Sequence, residues 1–215
     1  MPYVFVHGLG QKSLSWEKVI SCIAESATAV CPDLIELTRD ENINYTNLYR
    51  AFSDYCNELT EPLNLCGLSL GGILALNYAI DYPENVQSLT LIATQYKMPK
   101  TLLKFQNFIF KFMPESAFEK MGFGKKNLIA LTKSMMDLDF GDKLKDISCA
   151  VLILCGEKDG TNKRAARILC DRISNAIMQL IEAAGHEVNT DNPEKLAAVL
   201  SEFYQKQGHG EVFKI

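Results

Sequence analysis

Residues 63–72 read Leu-Asn-Leu-Cys-Gly-Leu-Ser-Leu-Gly-Gly, and this stretch decides the fold. Its first part, Leu63 to Cys66, is a short apolar run typical of a buried strand. Its second part, Gly67 to Gly72, contains Gly-x-Ser-x-Gly and precedes an apolar helical segment at Ile73–Ile80. Glycines between a strand and a helix permit a tight, strained turn with Ser69 at its apex. The pattern predicts a serine presented at the end of a strand, with an ordinary glycine-rich turn as the alternative.

Strands and helices are predicted to alternate on both sides of this stretch. The other strands are Tyr3–Val6, Thr28–Cys31, Ser88–Ala93, Ala150–Cys155 and Ala176–Ile181. Segments with helical spacing are Ser15–Ser26, Tyr45–Leu59, Asn127–Met136, Lys163–Ile173 and Pro193–Tyr204. Strands that alternate with helices form βαβ units, in which helices cover both faces of a parallel sheet. The prediction is a three-layer α/β/α fold around a mostly parallel, six-stranded sheet.

The alternation stops between Gln95 and Asp146, where no convincing strand pattern is found. This block is predicted to be a helical insertion after the fourth strand, and the core then comprises residues 1–94 and 147–206, with a loose tail at 207–215. The insertion holds ten lysines and six acidic residues, whereas the net charge of the whole chain is −4. The net charge of the whole chain is therefore negative although the insertion itself is positively charged.

The composition limits the classes of protein to which the chain can belong. With 215 residues, 47% hydrophobic and 22% charged, it is long enough for one domain with a sizeable core. The negative net charge offers no basic surface for nucleic acid, and no apolar run is long enough to span a bilayer. Seven scattered cysteines without a Cys-x-x-Cys pair are typical of buried thiols in a reducing compartment. Because the N-terminus also lacks a signal-peptide pattern, a cytoplasmic location is predicted.

A serine hydroxyl is a weak nucleophile, so the chemistry of Ser69 depends on a base. His186 follows the last strand, and loops after parallel strands gather at one sheet edge, where ligands bind. Asp159 follows the fifth strand and is its predicted acidic partner, with Glu157 as the competing carboxylate. His209 lies in the predicted tail, and the alternative for His186 is a solvated loop histidine. The chain order serine, aspartate, histidine accompanies Gly-x-Ser-x-Gly in known enzymes.

Four motifs together resemble the α/β-hydrolase superfamily across nearly the whole chain. They are His7-Gly8-Leu9-Gly10, the turn around Ser69, Gly156-x-x-Asp159 and Gly185-His186. The resemblance implies that Ser69 is the nucleophile, His186 the general base and acid, and Asp159 the carboxylate that orients the histidine. It also implies an oxyanion hole formed by the backbone N–H groups of Leu9 and Leu70.

The chain departs from the family pattern in two places. The family's common sheet has eight strands, whereas six are predicted here, so the leading hairpin is expected to be absent and one sheet edge less covered. The insertion lies where the family carries its cap, which covers the nucleophile and shapes the substrate pocket. Within the shared loops, His7 is expected to be structural and Asp33 to be a turn residue.

The insertion is rich in large apolar side chains, which are predicted to form a lid over an acyl or aromatic group. Phe105, Phe108 and Phe112 are the residues predicted to bind substrate. Its lysines either attract an anionic substrate or are simply solvated, and the second interpretation is favoured. Binding of this basic, aromatic segment to a membrane surface is a weaker alternative.

The predicted function is a serine hydrolase that cleaves a small carboxylic ester or thioester through an acyl-enzyme on Ser69. No metal and no organic cofactor are expected. Related chemistry stays open, namely C–C bond hydrolysis, lactone opening, perhydrolysis or a lyase reaction, and so does a ligand-binding sensor with slow turnover. The expected partner is a small-molecule substrate, with no nucleic acid and no stable membrane insertion, and the chain is expected to be a monomer or homodimer.

Overall fold

A computed structural model describes residues 1–23, 28–38, 42–59, 61–101, 103, 110, 112–119 and 124–208. Six strands form one sheet. They are β1 (Tyr3–Val6), β2 (Ala29–Val30), β3 (Leu63–Leu68), β4 (Val86–Ile92), β5 (Ala150–Gly156) and β6 (Ala176–Ile181). Their order across the sheet is β2-β1-β3-β4-β5-β6, and every neighbouring pair is parallel. The predicted fold class is confirmed, β1 and β6 have the predicted bounds, and the ends of the other strands differ from the predicted ends by at most two residues.

Helices flank the sheet. They are α1 (Glu17–Cys22), α2 (Leu34–Leu37), α3 (Tyr45–Asn57), α4 (Leu70–Asp81), α5 (Ser116–Glu119), α6 (Lys125–Ser134), α7 (Lys163–Arg172), α8 (Val188–Asp191) and α9 (Pro193–Gly208). Short 3₁₀ turns lie at Ser13–Trp16, Pro83–Asn85 and Gly141–Asp146. The sequence pattern missed α2 and α8 because a four-residue helix is too short to show a 3.6-residue period. The helix α9 continues past its predicted end at Tyr204, and residues 209–215 of the predicted tail, with His209, lie outside the described residues.

The two faces of the sheet carry separate apolar clusters because side chains alternate along each strand. On β1, Val4 and Val6 belong to the first cluster and Phe5 to the second. The helices α3, α4, α6 and α7 contribute buried residues to the first cluster, and α1 and α9 to the second. The three layers predicted from the alternation of elements are therefore present.

The described part of the insertion packs on the first face. Phe118 of α5 and Leu131 of α6 are fully buried in the first cluster. An isolated antiparallel bridge joins Lys97 to Asp139, and the same two side chains form an ion pair of 2.6 Å. The two ends of the insertion are thereby held next to each other.

The strand order places a switch point between β1 and β3. The chain leaves β1 toward β2 on one side and later returns to β3 on the other side. The loops that follow β1 and β3 therefore diverge at their carboxyl ends and leave a crevice, which is where open α/β sheets bind ligands. Residues 7–12 and the serine turn border this crevice.

The seven cysteines form no disulfide in this structure. Cys56, Cys66 and Cys155 are buried, as predicted for thiols that pack as small apolar groups, whereas Cys22 is exposed. Burial raises the pKa of the Cys155 thiol to about 11. Separately, none of the helices that the structure describes is long and apolar enough to cross a membrane.

Candidate active site

Ser69 links the end of β3 to the start of α4 in a strained backbone conformation. Its φ is 53° and its ψ is −110°, a combination that L-residues rarely adopt. The backbone N–H of Ser69 donates to the carbonyl of Ile92 on β4, with a distance of 2.8 Å. A residue keeps such a strained conformation only where the surrounding structure holds it in place. Residues of this kind are concentrated at functional sites.

Gly71 explains how α4 can begin so close to the sheet. A Cβ atom on this residue would overlap the backbone carbonyl of Val6 at the end of β1. Since Leu70 is the first residue of α4, its N–H is one of the donors that a helix leaves without an intrahelical partner. The glycine therefore brings a free helix N-terminus, with its partial positive charge, to the edge of the crevice.

The loop after β1 is held by a side-chain amide pair. Gln11 Oε1 accepts from the backbone N–H of Gly8 at 3.3 Å. The amides of Gln11 and Asn189 exchange two hydrogen bonds, of 3.1 and 3.2 Å, so the loop is tied to α8. Leu9 in this loop and Leu70 line the same cavity, and the oxyanion hole from their N–H groups stays a prediction.

His7 is fully buried and uses both ring nitrogens within the protein. Its Nδ1–H donates to the carbonyl of Gly8 at 2.9 Å, and its Nε2 accepts from the backbone N–H of Leu34 at 3.1 Å. Burial lowers the pKa of His7, so the neutral ring is favoured. Asp33 caps α2 by accepting from two N–H groups of its first turn. The structure thus gives both residues structural contacts.

The acid and the histidine form a direct pair. His186 Nδ1 lies 2.9 Å from Asp159 Oδ2 and donates to it. Burial of Asp159 by itself would raise its pKa, but hydrogen bonds from His186 and Asn162 outweigh burial and hold the pKa below its usual value. The competing carboxylate, Glu157, instead accepts from the backbone N–H of Ala183 at 3.1 Å. Asp159 is therefore the carboxylate that meets the histidine.

A close backbone approach brings the two loops together. A Cβ atom on Gly156, at the end of β5, would overlap the carbonyl of Gly185, which precedes His186. The N–H of Lys158 also donates to the carbonyl of Ala184 at 2.8 Å. The loop after β5 and the loop after β6 are thereby held next to each other, and this sets the distance between the acid and the histidine.

Two residues that were not predicted extend the hydrogen bonds of the acid, one by direct contact and one through the first. Asn162 Nδ2 donates to Asp159 Oδ2 at 2.7 Å, and Gln95 Nε2 donates to Asn162 Oδ1 at 2.7 Å. Asn162 also lies 3.2 Å from His186 Nδ1. An asparagine three residues after the predicted acid was visible in the sequence, but Gln95 is 67 residues away from it and carried no signal.

A cavity of about 430 Å³ lies between the core and the insertion. Its core walls include Ser69, His186 and Asp159, and its insertion walls include Met98 and Met135. Among the described residues, no hydrogen bond joins the side chains of the serine and the histidine. Because catalytic hydrogen bonds often tighten only when substrate is bound, the pairing of Ser69 with His186 stays a prediction.

The predicted substrate-binding phenylalanines are not part of this wall in the described structure. Phe105 and Phe108 lie outside the described residues, and Phe112 is 75% exposed and does not line the cavity. The insertion instead contributes Leu103 together with the two methionines. No lysine is among the described lining residues, and Lys97 and Lys100 form ion pairs of 2.6 Å with aspartates of the insertion.

Within residues that the structure describes, no three histidine, cysteine, aspartate or glutamate side chains are grouped closely enough to hold a metal ion.

Solved structures with this fold include enzymes. An esterase from Thermogutta terrifontis superposes with a TM-score of 0.77 at 21% identity, over 96% of this chain and 90% of that one. MenH from S. aureus superposes with a TM-score of 0.76 at 17% identity, over 97% and 94%. At these identities the likeness establishes a common fold.

The chain also resembles known proteins in sequence. An uncharacterized protein of Mycobacterium tuberculosis is 26% identical over 95 residues, which are 42% of this chain and 28% of the relative's length. A sequence model of the alpha/beta hydrolase family matches residues 3–199, which is most of the chain. The chain belongs to the alpha/beta hydrolase family.

Proposed function

We propose that the protein is a serine hydrolase that cleaves a small carboxylic ester or thioester through an acyl-enzyme on Ser69. The observation that carries the proposal is the placement of Ser69, at a positive φ, in the same cavity as the His186–Asp159 pair. A nucleophile, a base and an orienting carboxylate on three separate loops match the arrangement that acyl transfer requires.

The acylation step follows from these positions. Ser69 Oγ attacks the carbonyl carbon of the substrate while its proton passes to His186 Nε2. The carbonyl oxygen becomes an oxyanion, which the backbone N–H groups of Leu9 and Leu70 stabilise, an effect of about 3–4 kcal/mol per donor in enzymes where it has been measured. The imidazolium, stabilised by Asp159, then gives its proton to the departing alcohol or thiol, and the acyl group stays on the serine.

Deacylation repeats the same proton movements with water. Water gives a proton to His186 and attacks the acyl carbon, and the tetrahedral intermediate collapses with return of the proton to Ser69. The free acid leaves. Asp159 remains charged throughout, because its role is to orient the ring and to stabilise its protonated form.

The cavity supports a small acyl group. Its volume of about 430 Å³ is at the low end of the range for small-molecule sites. Its walls from the insertion are largely apolar and include Met98, Leu103 and Met135. An acyl chain or small ring would fill this space, and a thioester carrier would extend outside it.

The proposal is tested with a fluorophosphonate probe and a series of p-nitrophenyl esters of increasing acyl length. The parent protein should be labelled covalently and should release p-nitrophenol, with the rate highest for short acyl chains. Ser69→Ala should lose both the label and the turnover, by a factor on the order of 10⁶ in kcat.

The control is Ser13→Ala, which changes a serine outside the cavity and should retain parent activity. Folded parent protein that is neither labelled nor active on any ester would contradict the proposal. Ester binding that persists in Ser69→Ala, without turnover in the parent, would instead favour a ligand-binding sensor.

A further inference from the structure

Asp159 is held from both of its carboxylate oxygens. Oδ2 accepts from His186 Nδ1 at 2.9 Å and from Asn162 Nδ2 at 2.7 Å. Oδ1 accepts from the backbone N–H of Asn162 at 3.2 Å. Because one residue binds both oxygens, the carboxylate cannot rotate without breaking a hydrogen bond to Asn162. Both residues are buried, so no bulk water replaces a broken bond at low cost.

The carboxylate of Asp159 and the amide of Gln95 lie against opposite sides of the Asn162 amide. Its Nε2 donates to Asn162 Oδ1 at 2.7 Å. If the amide turned over, Oδ1 would face the carboxylate of Asp159, where two acceptors would meet without a proton between them. The same turn would leave Nδ2 facing the donor of Gln95. The hydrogen bonds therefore select one amide orientation, in which Asn162 donates to the acid.

We propose that Asn162 and Gln95 are positioning residues that hold the carboxylate of Asp159 toward His186, a proposal that rests on the proposed function. Gln95 is the first residue of the insertion, and it lines the cavity together with Asn162. A chain of hydrogen bonds thus runs from Gln95, where the insertion begins at the cavity wall, through Asn162 to Asp159. The position of the insertion and the orientation of the catalytic pair are coupled through this chain.

The experiment combines kinetics with a ¹³C NMR titration of the Asp159 carboxyl group, assigned by its loss in Asp159→Asn. Asn162→Ala removes one donor from Oδ2, so the pH midpoint of Asp159 should move upward. Its kcat on a p-nitrophenyl ester should fall on the order of 10²-fold with little change in KM, as for other small misplacements of catalytic groups. Gln95→Met keeps the side-chain length but cannot donate, and should change both readouts in the same direction, with kcat reduced about fivefold.

The matched control is Asn175→Ala, which removes an exposed asparagine that donates to the carbonyl of Ser148 at 2.8 Å. It should move neither readout. An Asp159 midpoint that is the same in Asn162→Ala and in the parent would overturn the proposal, even if the rate falls. The titration does not depend on turnover, so an inactive parent protein would refute the proposed function while the NMR comparison still decides the role of Asn162.

Discussion

The two halves of the candidate site are built differently. The nucleophile half comprises the loops after β1 and β3, with residues 7–12 and 69–72. Its serine turn is held by backbone geometry, whereas side-chain hydrogen bonds of His7 and Gln11 hold the loop after β1. Ser69 has a φ of 53°, and Gly71 lies where a Cβ would overlap β1. The acid–base half comprises residues 157–162 and 182–187, where side-chain hydrogen bonds join Asp159, His186 and Asn162.

Substitutions in the two halves are therefore expected to have different effects, one mainly on stability and the other mainly on the catalytic rate. Backbone geometry in the nucleophile half is part of how α4 packs against the sheet, so a substitution there is expected to affect folding. The hydrogen bonds of the acid–base half lie at the edge of the cavity, and His186 has 47% of its side chain exposed. A substitution there is expected to reduce the rate while the fold persists.

Among the variants that keep Ser69, the largest effect is expected for Asp159→Asn. The new amide would donate to His186 Nδ1 and so select the tautomer that carries its proton on Nε2, which cannot accept the proton of Ser69. We expect kcat on p-nitrophenyl esters to fall on the order of 10⁴-fold, equal to about 5 kcal/mol of activation free energy. The far-UV circular dichroism spectrum should match the parent. A variant that keeps a tenth of the parent rate would show that the aspartate does not orient the histidine.

Gly71→Ala should lower the free energy of unfolding by about 3 kcal/mol, because the methyl group would overlap backbone that cannot move aside. Alanine is favoured over glycine within a helix by about 1 kcal/mol, and this gain is expected to be outweighed. Urea denaturation measures the difference. The control is Gly124→Ala, where no atom of the residues that the structure describes lies within 4 Å of an added Cβ, and the change should stay below about 1 kcal/mol. Equal stability of the two variants would show that the close approach of Gly71 to β1 does not constrain the nucleophile half.

Acidification should weaken the nucleophile half first. Burial lowers the pKa of His7 below its ordinary value of 6.5, so below pH 6.5 the unfolded chain binds a proton that the folded chain does not. The contribution of neutral His7 is complete above pH 6.5, and it is lost by at most about 1.4 kcal/mol per pH unit as the pH falls toward the folded pKa. The pKa of Asp159 is lowered from 3.8, so its contribution is present above that value and is lost only in stronger acid.

Unfolding in urea at pH 7.5 and at pH 5.5 measures whether the free energy of unfolding falls on acidification. The parent should lose stability between the two values, and His7→Gln should lose less, because glutamine does not titrate. The variant is expected to be less stable than the parent at pH 7.5, so the comparison concerns the slope with pH. Identical slopes would mean that His7 is not the acid-sensitive group.

The smallest effect is expected from relief of strain at the nucleophile. Ser69→Gly should be more stable than Ser69→Ala by about 1 kcal/mol, because glycine adopts a positive φ without a clash of Cβ. Glycine also gains freedom in the unfolded chain, which reduces the difference. Urea denaturation of the two inactive variants isolates the strain from catalysis. A more stable alanine variant would show that the turn is not strained.

The fold and the nucleophile half could be predicted in most respects. Strands with short apolar runs and helices of three turns leave a period in the sequence, and the six parallel strands follow from their alternation. The elements that were missed, α2 and α8, are single turns whose position depends on Asp33 as a cap and on contacts with other loops. The walls of the cavity could not be predicted, because they depend on how the insertion folds over the core.

The sequence by itself determined the turn at Ser69 and the order of the three proposed catalytic residues. Where one backbone passes very close to another, only glycine is accepted. Gly71 and Gly156 lie at two such close approaches, and the glycines are visible in the sequence. Only the tertiary structure showed that Asn162 donates to Asp159 and that Gln95 donates to Asn162. A hydrogen bond between side chains 67 residues apart requires no special residue at either position in the chain, and it exists only once the sheet has brought the two loops together.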